Sequence, residues 1–227
     1  MKAMILAAGR GERMRPLTDS TPKPLLKVAG KPIIVHTIHQ LVSAGFRDIV
    51  INHAHMGPQI EAALGSGEQF GAAISYSPEG EAALETAGGI INALPLLGNQ
   101  VFLVVNGDIA TDFPFSEIKQ QPVDLAHLVA VDNPEHHPQG DFGLDKEGKV
   151  IVDCTVQFTF SGIGLYHPDL FSGIPPGKKK LWPLLASAIS NRRVTGQKYP
   201  GFWIDIGTPE RLKEVEQHYC QREKNHV

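Results

Sequence analysis

Apolar residues in this chain fall into two rhythms. Short unbroken runs, such as Ala3-Met4-Ile5-Leu6 and residues 101–105, read as strands buried on both faces. Between such runs, apolar positions recur three and four residues apart, the spacing of one helix face. Pro32 stands where a helix can start, Ile34, Ile38, Leu41 and Val42 mark its buried face, and Gly45 stops it. Residues 48–52 and 73–76 predict strands, and residues 58–64 and 86–94 predict helices, the last with Gly88-Gly89 near its start. The first half therefore reads β-α-β-α-β-α-β, an open α/β sheet. The second half is less regular. Residues 125–131 and 159–166 predict strands, and Asp145-Lys146-Glu147-Gly148 predicts the turn of a short hairpin between them. Residues 181–190 predict a helix and 203–206 a strand. Thr208-Pro209-Glu210 is a helix start: a hydroxyl cap, proline at the first position and an acid in the first turn. No linker-like stretch divides the halves, so residues 1–227 are expected to form one domain whose second half extends the sheet.

The segment after the first run stands apart from this pattern. Ala7-Ala8-Gly9-Arg10-Gly11-Glu12-Arg13 follows Leu6 with small residues that leave the backbone bare. Main-chain N–H groups exposed in this way can converge on an anion. Arg13, Arg15 and Lys23 add positive charge, and Pro22 and Pro24 stiffen the approach to Lys23. The loop is not a dinucleotide fingerprint, because Met14 stands where the third glycine belongs. It is not a Walker loop either, since no Gly-Lys-Ser/Thr occurs. A polyphosphate is the ligand that suits it.

Composition narrows the partners. With 227 residues, 42% hydrophobic and 20% charged, the chain is an ordinary globular one. A net charge of −3 offers no general attraction to nucleic acid or an acidic membrane. Locally the balance reverses: Arg10, Arg13, Arg15, Lys23, Lys27 and Lys31 face only Glu12 and Asp19. Cys154 and Cys220 form no C-x-x-C pair and imply neither a disulfide framework nor zinc, which fits a reducing cytoplasm. No run has the length and apolarity of a membrane span or a signal peptide. His136-His137 and His53-Ala54-His55 lack the carboxylate-histidine spacing of a transition-metal site.

Two carboxylates are placed for chemistry. Asn106-Gly107-Asp108 ends the run 101–105, and ligands of open α/β sheets bind beyond the carboxyl ends of strands. Asp108 would meet a ligand held by the first loop, and a carboxylate there suits Mg²⁺. Asp205, in Trp203-Ile204-Asp205-Ile206-Gly207-Thr208, also ends a short strand just before a helix. Parallel strands would bring both to one sheet edge.

The stretch 6–18 with Pro22-Lys23-Pro24 resembles the signature of the sugar-1-phosphate nucleotidylyltransferases. Ser77-Pro78-Glu79-Gly80, Glu85-Thr86-Ala87-Gly88-Gly89, Asn106-Gly107-Asp108, Asp132-Asn133-Pro134, His136-His137 with Gly140-Asp141-Phe142, and Phe160-Ser161-Gly162 are similar to the branch that joins UTP to N-acetylmuramate 1-phosphate in peptidoglycan recycling. The resemblance covers nearly the whole chain. It implies an open mixed, mostly parallel Rossmann-like sheet of the GT-A-like kind, with helices on both faces. It also implies that the backbone from Gly9 to Arg13, with the Arg13 side chain, holds the β- and γ-phosphates. Ala8, Gly11 and Glu12 share that loop, and Lys23 faces the α-phosphate. Mg²⁺ on Asp108 and Asp205 would bridge the phosphates of the two substrates; a Trp-x-Asp-x-Gly-Thr segment supplies the second ligand in the family.

The base is expected against Ala7-Ala8-Gly9, Glu79, Glu85 and Gly88, whose mixed donors and acceptors suit uracil. The sugar is expected over the second half, with Asn106, Asp141, Thr159 and Gly162 as candidates. Many relatives carry a Glu-Lys-Pro lysine on the sugar phosphate; this chain lacks it, and Lys180 is the replacement candidate. The nearest alternative is a guanylyltransferase acting on mannose 1-phosphate or a heptose 1-phosphate. A glycosyltransferase would usually carry Asp-x-Asp at Asn106-Gly107-Asp108, and a mere sensor could dispense with Lys23 or a carboxylate. Small-molecule substrates, a cytoplasmic setting and a monomer or weak homo-oligomer complete the expectation.

Overall fold

The computed structural model describes residues 1–80, 83–152 and 154–224. Its strands in chain order are β1 (Ala3–Leu6), β2 (Lys27–Val28), β3 (Lys31–Pro32), β4 (Asp48–His53), β5 (Ala73–Pro78), β6 (Phe102–Asn106), β7 (Ile109–Thr111), β8 (Ala126–Val131), β9 (Gly143–Leu144), β10 (Val150–Ile151), β11 (Thr159–Tyr166), β12 (Val194–Lys198) and β13 (Trp203–Asp205). The α-helices are α1 (Ile33–Ser43), α2 (Gly57–Leu64), α3 (Glu85–Leu97), α4 (Phe115–Ile118), α5 (Trp182–Ser190) and α6 (Pro209–Lys224). None of the described helices is long and apolar enough to cross a membrane.

Seven strands form the main sheet in the order β12-β8-β11-β6-β1-β4-β5. β1 pairs in parallel with β4 and β6, and β4 with β5. β11 runs antiparallel to both β6 and β8, and β12 is parallel to β8. The sheet is thus mixed and mostly parallel, as expected. Period-two alternation sends Ala3 and Ile5 to one face and Met4 to the other; Leu103 and Val105 likewise oppose Phe102 and Val104. α1 and α2 cover the first face through Ile34, Ile38, Leu41 and Ile60. α3 and α5 cover the second through Ile90, Ala93, Leu185 and Ile189. Each such buried leucine or isoleucine side chain contributes about 1.5–3 kcal/mol.

α1 ends where the sequence places Gly45. Its φ is +78°, and Phe46 N–H donates to Leu41 C=O at 2.9 Å while Gly45 N–H donates to Val42 C=O at 2.9 Å. This Schellman arrangement consumes the last helical carbonyls. α3 runs past its expected end at Leu94 with Pro95 inside it. The proline removes one donor, and the helix continues for less than a turn before Gly98 N–H closes on Leu94 C=O. β12, which the sequence pattern does not predict, is an edge strand; His127 of β8 fastens it through Thr195 Oγ1 (2.8 Å) and Gln197 Oε1 (3.1 Å). Burial lowers the pKa of that imidazole from its ordinary value, favouring the neutral ring that such neutral partners can accommodate.

One expectation is corrected. Asp205 does not end a parallel strand of the main sheet. β13 lies outside it and pairs antiparallel with β7, with Asp205 opposite Ile109. A two-stranded ribbon does here what parallel alignment was expected to do.

Candidate active site

The chain folds β1, β4 and β5 outward in one direction, then returns through α3 to lay β6 on the other side of β1. That reversal is a topological switch point, where loops leaving adjacent strands diverge and open a crevice. A cavity of about 350 Å³ lies there, lined by residues at or just beyond the carboxyl ends of β1, β4, β5 and β6 together with Lys23 and Lys178.

The first loop is a built structure. Gly11 has φ +67° and opens a 3-10 turn over Glu12–Met14. Its carbonyl accepts Met14 N–H at 2.9 Å and the Thr18 hydroxyl at 2.8 Å. A side chain at Gly11 would meet Thr18 Cγ2 at 3.0 Å and Lys23 Cβ at 3.1 Å, so the missing Cβ makes room for the lysine stem. Met14 is fully buried with Leu26, Val28, Ile206 and Val215. It anchors the loop to α6, which explains an apolar residue where a dinucleotide loop has glycine. Lys23 is itself buried, and its ammonium donates to the Asp108 carboxylate.

The cavity wall beyond β4 is a hydrogen-bond chain. Ala7 N–H donates to Asn52 Oδ1 at 2.8 Å, Asn52 Nδ2 to Glu79 Oε1 at 2.6 Å, and Leu84 N–H to Glu79 Oε2 at 2.6 Å. Asn52 was not singled out from the sequence. The available signal is a polar residue closing the apolar run Ile49-Val50-Ile51, as Asn106 closes the run 101–105. Gly107 N–H donates to Leu6 C=O at 2.9 Å, and a Cβ at Gly107 would lie 2.7 Å from that oxygen. Only glycine lets β6 end flush with β1. Gly107→Ala is expected to cost about 2 kcal/mol of stability. A urea unfolding midpoint equal to that of the parent would contradict this.

Asp205 lies beside Asp108 along the backbone: Ile206 N–H donates to Asp108 C=O at 2.7 Å. The Asp205 carboxylate pairs with Arg211 at the start of α6. His136 Nε2 lies 3.0 Å from Asp205 Oδ1 and 2.8 Å from Arg211 Nη1, donating to the first or accepting from the second according to its tautomer. Arg13 approaches the same place, with Nη2 3.2 Å from where a Gly207 Cβ would be.

A second cavity of about 340 Å³ shares Glu85, Thr86 and Asn106 with the first and extends over the second half of the chain. Asp141 lines it; its carboxylate accepts Phe160 N–H at 2.8 Å and lies 3.1 Å from His137 Nε2. Glu85, at the boundary, has φ +62°, an uncommon and strained conformation for a residue with a side chain.

The structure distributes the expected residues unequally. Ala8, Gly9, Gly11, Lys23, Glu79, Glu85, Asn106 and Asp108 line the first cavity, and Asp141 lines the second. Glu12 and Arg13 are exposed outside both linings. Gly88, Thr159 and Gly162 stand behind the walls. A Cβ at Gly88 would collide with Gly177 C=O, so the close approach expected of a ligand is made by the chain's own 177–179 segment. Thr159 is buried and donates to Asn133 Oδ1 at 2.9 Å. Gly162, with φ +78°, backs the Asn106 side chain. Lys180 lines the second cavity and Lys178 the first. Glu81 and Ala82, inside the expected base-reading stretch, lie outside the described residues.

Residues 2–159 match the model of the nucleotidyl transferase family. The chain belongs to that family. Among curated relatives, the N-acetylmuramate alpha-1-phosphate uridylyltransferase of Neisseria meningitidis is 55% identical, over 95% of this chain and 97% of its own length. A mannose-1-phosphate guanylyltransferase of Mycobacterium tuberculosis is 29% identical, over 92% of this chain and 61% of its own length. A solved structure of a candidate glucose-1-phosphate thymidylyltransferase from Bacillus anthracis, in complex with sucrose, superposes with a TM-score of 0.83 at 25% identity, covering 96% of this chain and 94% of that one. The residues lining the first cavity lie within the family match except Lys178; Asp205 and Lys180 lie beyond it.

Proposed function

We propose that this nucleotidyltransferase joins UTP to N-acetylmuramate 1-phosphate, giving UDP-N-acetylmuramate and pyrophosphate in peptidoglycan recycling. The observation that carries the reading is the likeness along almost the full length to the Neisseria uridylyltransferase. The cleft supports it: two adjoining cavities with a common wall suit two substrates, the nucleotide over the first half of the chain and the sugar over the second.

In the reaction a phosphate oxygen of the sugar forms a bond to the α-phosphorus, and the bond from that phosphorus to the bridging oxygen of pyrophosphate breaks. The attacking phosphate is already ionised near neutral pH, so no general base is needed. Both reactants are anionic, and the work of the site is alignment and charge compensation. Lys23, held at the cavity by Asp108, is assigned to the α-phosphate. The backbone from Gly9 to Arg13 and the Arg13 guanidinium are assigned to the outer phosphates. Ala8, Glu79 and Glu85 are assigned to the base, and Asn106 and Asp141 to the sugar.

Asp108 and Asp205 fit Mg²⁺. Both are hard oxygen donors on adjacent backbone, both are partly exposed, and each already attracts a cation from the chain. Among the described residues no group of three or more His, Cys, Asp and Glu forms a fuller metal cage. Two carboxylates completed by water and phosphate match the coordination habit of Mg²⁺. When bound there, the ion would offset charge on the phosphates of both substrates.

Pyrophosphate release with UTP, GTP, ATP and CTP, each crossed with several sugar 1-phosphates, tests the proposal. UTP with N-acetylmuramate 1-phosphate is expected to give the highest kcat/KM. A higher value for GTP with every sugar phosphate would replace this reading with the guanylyltransferase one.

A further inference from the structure

The second cavity holds a cation that the proposed reaction leaves without a task. Lys180 lines it, exposed at the rim, and makes no hydrogen bond or ion pair among the described residues. Its neighbours in the lysine run are engaged. Lys178 lies 3.8 Å from the Glu85 carboxylate. Lys179 is pinned through its backbone: its N–H donates to Leu84 C=O at 2.8 Å, and its C=O accepts Ala87 N–H at 3.0 Å and Gly88 N–H at 3.1 Å. The start of α3 thus fixes where Lys180 leaves the chain. Asp141 and Glu85, the two carboxylates of the same lining, are already engaged, Asp141 with Phe160 N–H and His137 and Glu85 with Lys178, so Lys180 is the charged group of the lining left without such a contact among the described residues. Much of the remaining lining is apolar, with Phe142, Phe160 and Leu181 beside an exposed Trp182.

A neutral hexose gains little from an unpaired ammonium. A second anion on the same acceptor does gain, because a charge-assisted contact beside apolar surface is stronger than one in open water. N-acetylmuramate carries such an anion: a lactyl group on an ether oxygen ends in a carboxylate next to a methyl group. N-acetylglucosamine 1-phosphate has the same phosphate and ring but no lactyl group. We propose that Lys180 selects the acceptor by binding its lactyl carboxylate, with Trp182 providing apolar surface for the methyl. This rests on the function proposed above and adds the residue that separates an acidic sugar phosphate from neutral ones. It also moves Lys180 away from the phosphate contact expected from the sequence.

Lys180→Met and Lys180→Arg in the full chain test it. The readouts are KM for N-acetylmuramate 1-phosphate with UTP and Ki of N-acetylglucosamine 1-phosphate as a competitor. Lys180→Met is expected to raise that KM roughly tenfold to a hundredfold, the range for a hydrogen bond to a charged group, while Ki stays within about twofold. Lys180→Arg is expected to keep most of the preference. KM and Ki rising together would mean that Lys180 contacts the phosphate, and an unchanged KM would mean that it contacts nothing; either result overturns the inference alone. Wild-type enzyme that prefers a neutral sugar phosphate would overturn the proposed function, and this inference with it.

Discussion

Replacing Lys23 by alanine is expected to lower kcat about a hundredfold while leaving the fold in place. Lys23 is buried, yet its charge is not in the core: its stem lies in the space left by Gly11, and its ammonium reaches Asp108 at the cavity. Truncation therefore removes a fixed positive charge from the place where, in the proposed reaction, negative charge would accumulate in the transition state. Contacts of this kind are worth ~3 kcal/mol, which sets the expected factor. The structural cost is smaller, because Asp108 remains partly exposed and can be solvated once its partner is gone. Lys23→Arg should not restore the rate, since a planar guanidinium cannot follow the narrow path beside Gly11 that a slender lysine takes. Steady-state kinetics with circular dichroism on both variants decide the matter. Near-normal turnover in a folded Lys23→Ala protein would remove the lysine from the mechanism.

What could be read from the sequence was whatever a local pattern encodes. The run from Ala3 to Leu6 had to be a buried strand, and the small residues after it had to leave backbone exposed; both follow from neighbours in the chain. Gly45 as a helix stop and Thr208-Pro209 as a helix start are equally local. Two kinds of feature escaped. Strands with little apolar content have no periodic signature, and β12, with Gly196 in its middle and Lys198 at its end, is held by backbone pairing and by His127. Glycines gave the other difficulty. Gly88 signals close approach, but a glycine does not say what approaches, and here it is the chain's own backbone at 177–179. Asn52 and Glu79 form one hydrogen-bond chain across 27 positions of sequence. No spacing rule foretells that pairing, although each residue alone sits where a strand ends.

Asp108→Asn and Asp205→Asn are each expected to reduce turnover about a thousandfold, and the double variant is expected to be little worse than either. The two aspartates come together through the β7–β13 ribbon. Asp108 immediately precedes β7, Asp205 ends β13 opposite Ile109, and Ile206 N–H binds the Asp108 carbonyl at 2.7 Å. If the pair holds one ion it should act as a unit, so that loss of either member forfeits most of what both supply. The factor reflects the several kcal/mol that a divalent ion contributes to phosphate chemistry. Asp205 also pairs with Arg211, so a purely structural role must be separated from metal binding. Arg211→Met removes that ion pair but leaves the carboxylate, and it should cost far less than Asp205→Asn. A readout independent of turnover is Mn²⁺ binding in the presence of UTP, followed by the loss of the free-ion spin-resonance signal. Each asparagine variant should weaken it by at least about tenfold, because one carboxylate alone holds a well-hydrated divalent ion poorly. EDTA should abolish turnover of the parent enzyme, and added Mg²⁺ should restore it. If the losses of the single variants multiply in the double variant, or if Arg211→Met matches Asp205→Asn in both rate and Mn²⁺ binding, the two carboxylates do not share one ion.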